Sequence, residues 1–382
     1  MRLTPKLTNK WKLLLLLLLS AGTVVLINLR FFDVARRPKT LLIYNNEHLC
    51  TSHASDLLLP KQPLTSPNPI AQTSIVIVIP SFQQNFLQRN LIRQTYGSVR
   101  NVNNVKILAV VFVLGWRLNP GRNAHDDIFK LEAERDQFGD IIMGDLTDTY
   151  RNLSRKSVMA YDWLVSFCQE ADFVVKTDDD VFVDVFKLTA ELSRWTPDVA
   201  KSFNFWCAVH SMETVDRNKK SIYYISPDEY PGKKIPKHCA GVGYVTQMGV
   251  VRLIAEEISK SFLGPICSHE DVFMTGIVPE RLNSKRSEPI KHVNKMLEWV
   301  FYVDENNPNK DGKYIWDVIS DPKYKSVSFD EFRKRSGTRI FYLLQHDPNF
   351  KKKFLRLWYF IKNSFQNEAT SNILNKVGQR KA

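Results

Sequence analysis

The sequence predicts an α/β protein with a doubly wound, mostly parallel sheet, preceded by one transmembrane helix. Runs of β-branched residues alternate along the chain with segments of helical spacing, an order typical of parallel strands joined by crossover helices. The 382 residues are 44% hydrophobic and 24% charged, which suffices for one large domain with appendages. An uncharged apolar run lies close to the N-terminus.

That apolar run, residues 13–29, reads "LLLLLLLSAGTVVLINL" and is bounded by Lys12 and Arg30. It matches the shortest segments that span a bilayer, roughly 17 residues, and exceeds the apolar core of most cleaved signal peptides. We therefore expect an uncleaved signal anchor after a tail at residues 1–12, with a cleaved signal peptide as the alternative. The Lys/Arg side chains are equally numerous on both flanks, so they do not decide the orientation.

The net charge of +13 is concentrated at the N-terminus, because residues 1–40 hold eight Lys/Arg and one Asp. The remainder is spread out, which argues against a nucleic-acid partner. Residues 30–72, which include "PKQPLTSPNP", are rich in Pro, Ser, Thr and Asn and are expected to form a stem. A folded domain is expected over residues 73–360, followed by a C-terminal tail over 361–382.

Within this domain, strands and helices alternate. Strands are predicted at 74–80, 105–115, 140–144 and 173–176, and helices at 86–97, 126–139 and 154–168. The strands are continuous apolar runs of the kind buried on both faces of a sheet. In open α/β sheets the ligand lies beyond the carboxyl ends of the strands. Residues that follow the last predicted strand are therefore candidates for a binding site.

Three carboxylates, Asp178, Asp179 and Asp180, follow that strand in "FVVKTDDDVFVD". Like charges this close raise one another's pKa unless a positive group compensates. The run is either an exposed turn or a cation site. Carboxylates at D-x-D spacing suit Mn²⁺ or Mg²⁺ and leave coordination positions for the oxygens of a diphosphate.

Basic residues and glycines could complete such a site. Arg89 and Arg93 share a face of the first predicted helix, and Lys156 lies in the first turn of a later one, where a phosphate would meet the helix N-terminus. Each could equally be an ordinary surface cation. Gly241 and Gly243 in "HCAGVGYV" allow close approach of the backbone or simply a tight turn.

The motif "SHEDVFMTG" places Glu270 and Asp271 before an apolar segment. The pair could begin a helix and do nothing more, or it could supply the general base of a transfer reaction.

The five cysteines have no zinc-site spacing. In an oxidising compartment we expect one or two disulfides among the last four, with Cys50 left to pair between chains, which would allow a homodimer. The one glycosylation sequon, "NLS", begins at Asn152.

Six segments, taken in order, carry a family resemblance: "RNLIRQTYG", "VFVLG", "GDLTDTYRNLSRKS", "VVKTDDDVFVD", "HCAGVGYV" and "EDVF". Their series resembles the β-1,3-galactosyltransferase and β-1,3-N-acetylglucosaminyltransferase family over roughly residues 74–276. The resemblance implies a single-pass type II Golgi membrane protein with a lumenal GT-A domain, which uses a UDP-sugar and Mn²⁺ or Mg²⁺. It implies an inverting transfer to the 3-hydroxyl of an acceptor glycan on a glycolipid or glycoprotein, with galactose as the first expectation.

The resemblance also implies residue roles. Asp180 and His346 would bind the metal, Asp271 would be the general base, and the donor side would hold Arg89, Arg93, Lys156, Asp178 and Asp179. The segment Pro279–Arg339 is longer than in the family and is expected to include an acceptor-side loop. The alternatives are N-acetylglucosaminyl or N-acetylgalactosaminyl transfer, an inactive lectin-like protein, and a glycosidase that needs neither nucleotide nor metal.

Overall fold

The computed structural model describes residues 42–50, 72–116, 124–195, 199, 202–211, 213–262, 265–303, 310–320, 327–344 and 347–379. The predicted anchor at 13–29 and the predicted metal ligand His346 lie outside these ranges. None of the helices within them has both the length and the apolar character needed to cross a bilayer.

Twelve strands are defined in the described ranges. They are β1 (Leu42–Tyr44), β2 (Thr73–Pro80), β3 (Asn101–Val102), β4 (Val105–Trp116), β5 (Ile141–Thr147), β6 (Phe173–Thr177), β7 (Val181–Val183), β8 (Asn204–His210), β9 (His238–Gln247), β10 (Lys291–Asn294), β11 (Val300–Val303) and β12 (Phe341–Leu344). The strands predicted from the sequence correspond to β2, β4, β5 and β6 and are confirmed.

The helices of the described ranges cover both faces of the sheet. They are α1 (Phe86–Gln94), α2 (Ala124–Phe138), α3 (Leu153–Phe167), α4 (Val185–Leu192), α5 (Met248–Ser261), α6 (Glu270–Val272), α7 (Val278–Asn283), α8 (Met296–Trp299), α9 (Lys310–Ser320), α10 (Phe329–Ser336) and α11 (Phe350–Gln379). A π-helical turn, Phe273–Ile277, joins α6 to α7. The three helices predicted from the sequence correspond to α1, α2 and α3.

The main sheet has the strand order β1-β5-β4-β2-β6-β9-β8-β10, with β3 beside β4. The four strands from β5 to β6 are parallel, whereas β6, β9 and β8 pair antiparallel. The sheet is therefore mixed, and the prediction of a mostly parallel sheet holds only for its first half. The direction changes because β8 connects to β9 without a crossover helix.

The doubly wound arrangement is visible in β2, whose side chains alternate between two separate cores. Ile75, Ile77 and Ile79 pack into one core, and Val76 and Val78 pack into the other. Each of these side chains is almost fully buried, which contributes about 1.5–3 kcal/mol per residue. Helices α1, α2, α4 and α11 cover the first face, and α3, α5 and α7 cover the second.

A second sheet, in the order β11-β12-β7, begins directly after the acidic triplet. Phe182 on β7 packs against Phe354 of α11, with the ring centroids 5.1 Å apart. Helix α11 runs without a break through the boundary predicted at residue 360, and Ile361 is buried. The first turns of the predicted tail therefore belong to the folded domain.

The stem prediction also needs correction. Residues 42–44 form β1, which pairs antiparallel with β5 at the edge of the sheet. Cys50 forms a disulfide with Cys168 of the same chain, and Cys207 pairs with Cys239. The unpaired cysteine is the buried Cys267, so the prediction that Cys50 pairs between chains is wrong.

Candidate active site

The three adjacent carboxylates lie at the carboxyl end of β6, and their surroundings differ. Asp179 is buried, and its Oδ2 accepts hydrogen bonds from Ser81 Oγ at 2.6 Å and from Asn85 Nδ2 at 2.8 Å. Burial raises the pKa of Asp179, while these two hydrogen bonds act in the opposite direction. Asp179 therefore ties the triplet to the loop that follows β2.

Asp178 is neutralised by a lysine of β6, the strand that it follows. Lys176 Nζ donates to Asp178 Oδ1 at 2.8 Å and to the carbonyl oxygen of Gly241 at 2.9 Å. It also lies 3.1 Å from Oε2 of the buried Glu270. Burial alone would lower the pKa of Lys176, but Asp178 and Glu270 outweigh it and hold that pKa well above its usual range.

Sequence reasoning missed Lys176. The available signal was a single cation inside the otherwise apolar strand "FVVKT", two residues before the carboxylates. A buried lysine requires anionic partners because an isolated charge is costly in the interior.

Asp180 is partly exposed, and its carbonyl oxygen accepts the amide of Leu344 at 3.4 Å. Leu344 precedes His346 by two residues. Within the described ranges, no group of three or more His, Cys, Asp or Glu side chains could hold a metal ion. Magnesium-type cations are often held by only one or two carboxylates together with phosphate oxygens. A cation at Asp180 would therefore need ligands beyond the described side chains, such as the oxygens of a diphosphate.

Arg89 is fully buried and uses all of its donors inside the protein. It makes two hydrogen bonds to Glu134, at 2.8 and 2.6 Å, and further bonds to Ser81 Oγ and to the carbonyl oxygens of Phe82 and Gln83. A guanidinium has five N–H donors. Arg89 therefore shapes the loop after β2, and it has no donor left for a direct contact with a ligand.

Arg93 and Lys156 also donate hydrogen bonds to other residues of the protein. Arg93 donates to Asp140 at 2.7 Å and to Glu134 at 2.6 Å. Lys156 is buried, and its Nζ donates to Ser81 O and to Asp148 Oδ1, both at 2.8 Å. Burial lowers the pKa of Lys156, although the nearby carboxylates oppose this. The structure brings these cations to the edge of the site as supports for its loops.

Asp271 and Asp178 approach each other across Gly241. A Cβ atom on Gly241 would lie 3.6 Å from Asp271 Oδ2 and 4.0 Å from Asp178 Oδ2. Gly243 is required for a different reason, since a Cβ there would lie 2.8 Å from the ring of the buried Phe341. Gly241 thus leaves space between two carboxylates, whereas Gly243 allows the second sheet to pack.

The position of Asp271 is fixed by Thr275, which sequence reasoning did not identify. Thr275 Oγ1 donates to the carbonyl oxygen of Asp271 at 2.6 Å and accepts the amide of Cys239 at 2.8 Å. Asp271 Oδ1 also accepts the amide of Val272 at 2.8 Å. Thr275 therefore couples Asp271 on α6 to Cys239 on β9, two residues before Gly241.

Two further predictions concern loops. Asn152 precedes α3, and its Nδ2 donates to the carbonyl oxygen of Thr147 at 2.8 Å. The described parts of Pro279–Arg339 form helices and strands that begin with α7. The segment 213–237 also comes close to α6, since the ring of Tyr223 lies 6.2 Å from that of His269. That Pro279–Arg339 includes an acceptor-side loop stays a prediction.

The chain is similar in sequence to known proteins. The family model described as "Galactosyltransferase" matches residues 87–289. UDP-GalNAc:beta-1,3-N-acetylgalactosaminyltransferase 1 of Rattus norvegicus is 31% identical over 266 residues, which cover 69% of this chain and 76% of that protein.

Two other relatives are named after the transfer of other sugars. Beta-1,3-galactosyltransferase 5 of Homo sapiens is 34% identical over 214 residues, covering 56% of this chain and 65% of the relative. Lactosylceramide 1,3-N-acetyl-beta-D-glucosaminyltransferase of Xenopus tropicalis is 28% identical over 268 residues, covering 66% and 68%. With the family model matched across both the acidic triplet and Asp271, the chain belongs to the galactosyltransferase family.

Proposed function

We propose that the protein is an inverting glycosyltransferase that moves a hexose, galactose in the first instance, from a UDP-sugar to the 3-hydroxyl of an acceptor glycan. The acceptor glycan would be carried by a glycolipid or a glycoprotein, and the new linkage would be β-1,3. The observation that carries the proposal is the meeting of Asp178 and Asp271 around Gly241, beyond the carboxyl end of β6. The family match supports the same reaction class.

Asp271 would be the general base. Its carboxylate accepts the proton of the acceptor hydroxyl while that oxygen forms a bond to C1 of the donor sugar. The bond between C1 and the diphosphate breaks in the same displacement, and UDP leaves with the electron pair. Because attack comes from the face opposite the leaving group, an α-linked donor gives a β-linked product.

The donor side would be formed by Asp178, Asp179 and the loop after β2. Arg89, Arg93 and Lys156 act there through the loops that they hold. Asp180 and His346 would bind Mn²⁺ or Mg²⁺ together with the diphosphate. When bound, the metal neutralises negative charge on the leaving group.

The cellular setting is also part of the proposal. We infer a Golgi protein of type II topology, anchored by residues 13–29, whose lumenal domain has the GT-A fold. Asn152 would be accessible to glycosylation in that compartment. A glycosylated asparagine keeps one amide hydrogen, so its bond to Thr147 can persist.

The test uses the chain from residue 41 onward, secreted from eukaryotic cells. It is incubated with UDP-galactose, UDP-GlcNAc or UDP-GalNAc over a panel of acceptor glycans, with Mn²⁺ or with EDTA. We expect UDP release that requires both the metal and one acceptor, and a β-1,3-linked product by NMR. UDP binding without turnover on any acceptor would support a lectin-like protein, and hydrolysis without nucleotide or metal would support a glycosidase.

A further inference from the structure

Two exposed tyrosines flank a buried histidine beside Asp271. Tyr150 is 47% exposed and Tyr223 is 59% exposed. The ring of Tyr150 meets the ring of His269 edge-on, with centroids 6.3 Å apart and planes at 89°. The ring of Tyr223 lies 6.2 Å from His269 at 36°. An aromatic cluster thus lies two residues from the proposed base, open to solvent on the tyrosine side.

His269 has a buried polar atom, Nε2. Its side chain is more than nine-tenths buried, and Nε2 has no hydrogen-bond partner among the residues that the structure describes. Nδ1 lies 3.5 Å from Ser268 Oγ. Burial lowers the pKa of His269, although the charge of Asp271 opposes this. A buried polar atom without a partner is costly, so the fold tolerates a local cost at this position beside Asp271.

The segment that carries Tyr223 is held firmly against the domain. Arg151, next to Tyr150, forms an ion pair of 2.9 Å with Glu229. Arg217 donates to the carbonyl oxygens of Ile225, Tyr230 and Gly232 at 2.7–2.8 Å. The exposed ring is therefore presented on an ordered loop, which reduces the entropy lost when a ligand binds.

The cluster lies on the base side of the site. Burial raises the pKa of the Tyr150 phenol, and the charges of Asp271 and Asp178 add to this, so the phenol lies within electrostatic range of both carboxylates that meet at Gly241. Asp179, on the proposed donor side, is instead bonded to the loop after β2. Both tyrosines contact His269, two residues before Asp271, so the cluster lies next to the group that would accept the proton.

We propose that Tyr150, Tyr223 and His269 form the subsite for the terminal pyranose of the acceptor. The C–H face of the sugar stacks on the Tyr223 ring, and a hydroxyl of the sugar lies over the side of the cluster where Tyr150 and Tyr223 meet His269. A neighbouring hydroxyl is then directed at Asp271. This inference rests on the proposed transferase function and names the residues that recognise its acceptor.

The test compares Tyr223→Ala with Tyr223→Phe in the secreted domain. Tyr359→Ala is the matched control, because Tyr359 is 55% exposed and lies on α11 against Phe329. We expect Tyr223→Ala to raise the acceptor KM about three- to tenfold, the effect of losing one aromatic contact. Tyr223→Phe keeps the stacking face and should keep the wild-type acceptor KM. The donor KM and the melting temperature should not change in either variant.

The outcomes separate this inference from the function on which it rests. If the wild-type protein transfers sugar but Tyr223→Ala keeps the wild-type acceptor KM, the subsite is overturned and the transferase function stands. The same holds if the acceptor KM and the donor KM rise by equal factors, or if Tyr223→Phe is as impaired as Tyr223→Ala. If the wild-type protein transfers no sugar with any donor and acceptor, both proposals fail together.

Discussion

At the scale of single residues, the crowding of three carboxylates is tolerated because each has a different environment. Lys176 neutralises Asp178, hydroxyl and amide donors satisfy Asp179, and Asp180 is partly exposed. Lys176 also contacts Glu270, so one ammonium links β6 to the short helix that carries the proposed base, Asp271. The electrostatic balance of the site is therefore set by a residue of the protein before any ligand binds.

Replacing Lys176 by methionine should destabilise the fold. It leaves Glu270 buried and Asp178 half-buried without their cation, which costs about 3 kcal/mol or more. Chemical denaturation would measure the loss. The double variant Lys176→Met with Glu270→Gln should recover part of it, since the most deeply buried charge is then removed. An unchanged unfolding midpoint in the single variant would contradict this account.

Asp271→Asn should retain UDP-sugar binding, because Asp271 lies outside the hydrogen bonds that organise the donor loop. It should lose transfer by about 10²–10⁴-fold, the usual contribution of a general base. Calorimetric titration with UDP and steady-state transfer rates measure the two effects. Asp136→Asn, at a well-exposed side chain on α2, is the control. Full transfer by Asp271→Asn would refute the assignment of the base.

The two glycines of β9 should respond differently to alanine. In Gly241→Ala the new methyl group makes an ordinary contact of 3.6 Å with Asp271, so stability should hold while transfer falls. In Gly243→Ala the methyl group would overlap Phe341, which should cost about 1–3 kcal/mol. Thermal unfolding and transfer rates of the two variants provide the comparison. Equal effects on stability would exclude the distinction drawn here.

At the scale of elements, the edge of the main sheet is completed by a segment that the composition assigns to the stem. Strand β1 covers β5, and the disulfide between Cys50 and Cys168 links this edge to the end of α3. The covalent link closes a long loop, with a sequence separation of 118 residues. Such links stabilise mainly by restricting the unfolded chain.

The double variant Cys50→Ser with Cys168→Ser should lose about 2–4 kcal/mol of stability, as expected for a native disulfide. A chain that begins at residue 72 should lose at least as much, because it also lacks β1. Thermal unfolding of the three proteins at one pH tests this. If the double variant unfolds at the wild-type temperature, β1 is held by its pairing with β5 alone.

At the scale of the whole molecule, the second sheet and α11 hold the segment that directly follows the acidic triplet. Tyr96 and Phe354 pack on Phe182, and Tyr96 Oη donates to the carbonyl oxygen of Val181 at 3.3 Å. Val181 directly follows the triplet. A helix from the end of the chain is thus part of the packing that positions a site built near its middle.

Phe354→Ala should destabilise the domain by about 3–5 kcal/mol, because the fully buried ring leaves a cavity between α11 and β7. Phe129→Ala, at a side chain of α2 that is 59% exposed, should change stability by less than about 0.5 kcal/mol. Denaturant titration distinguishes the two. A small effect of Phe354→Ala would mean that α11 contributes little to the site.

The sequence by itself determined the order of strands and helices and the location of the carboxylates at a strand end, because periodicity and strand succession are local features of the chain. Only the tertiary structure decided the partners of these groups. Lys176 meets Gly241 across 65 residues, Arg89 meets Glu134 across 45, and Cys50 meets Cys168 across 118. Contacts at such separations depend on how the sheets and helices pack, which no local pattern encodes.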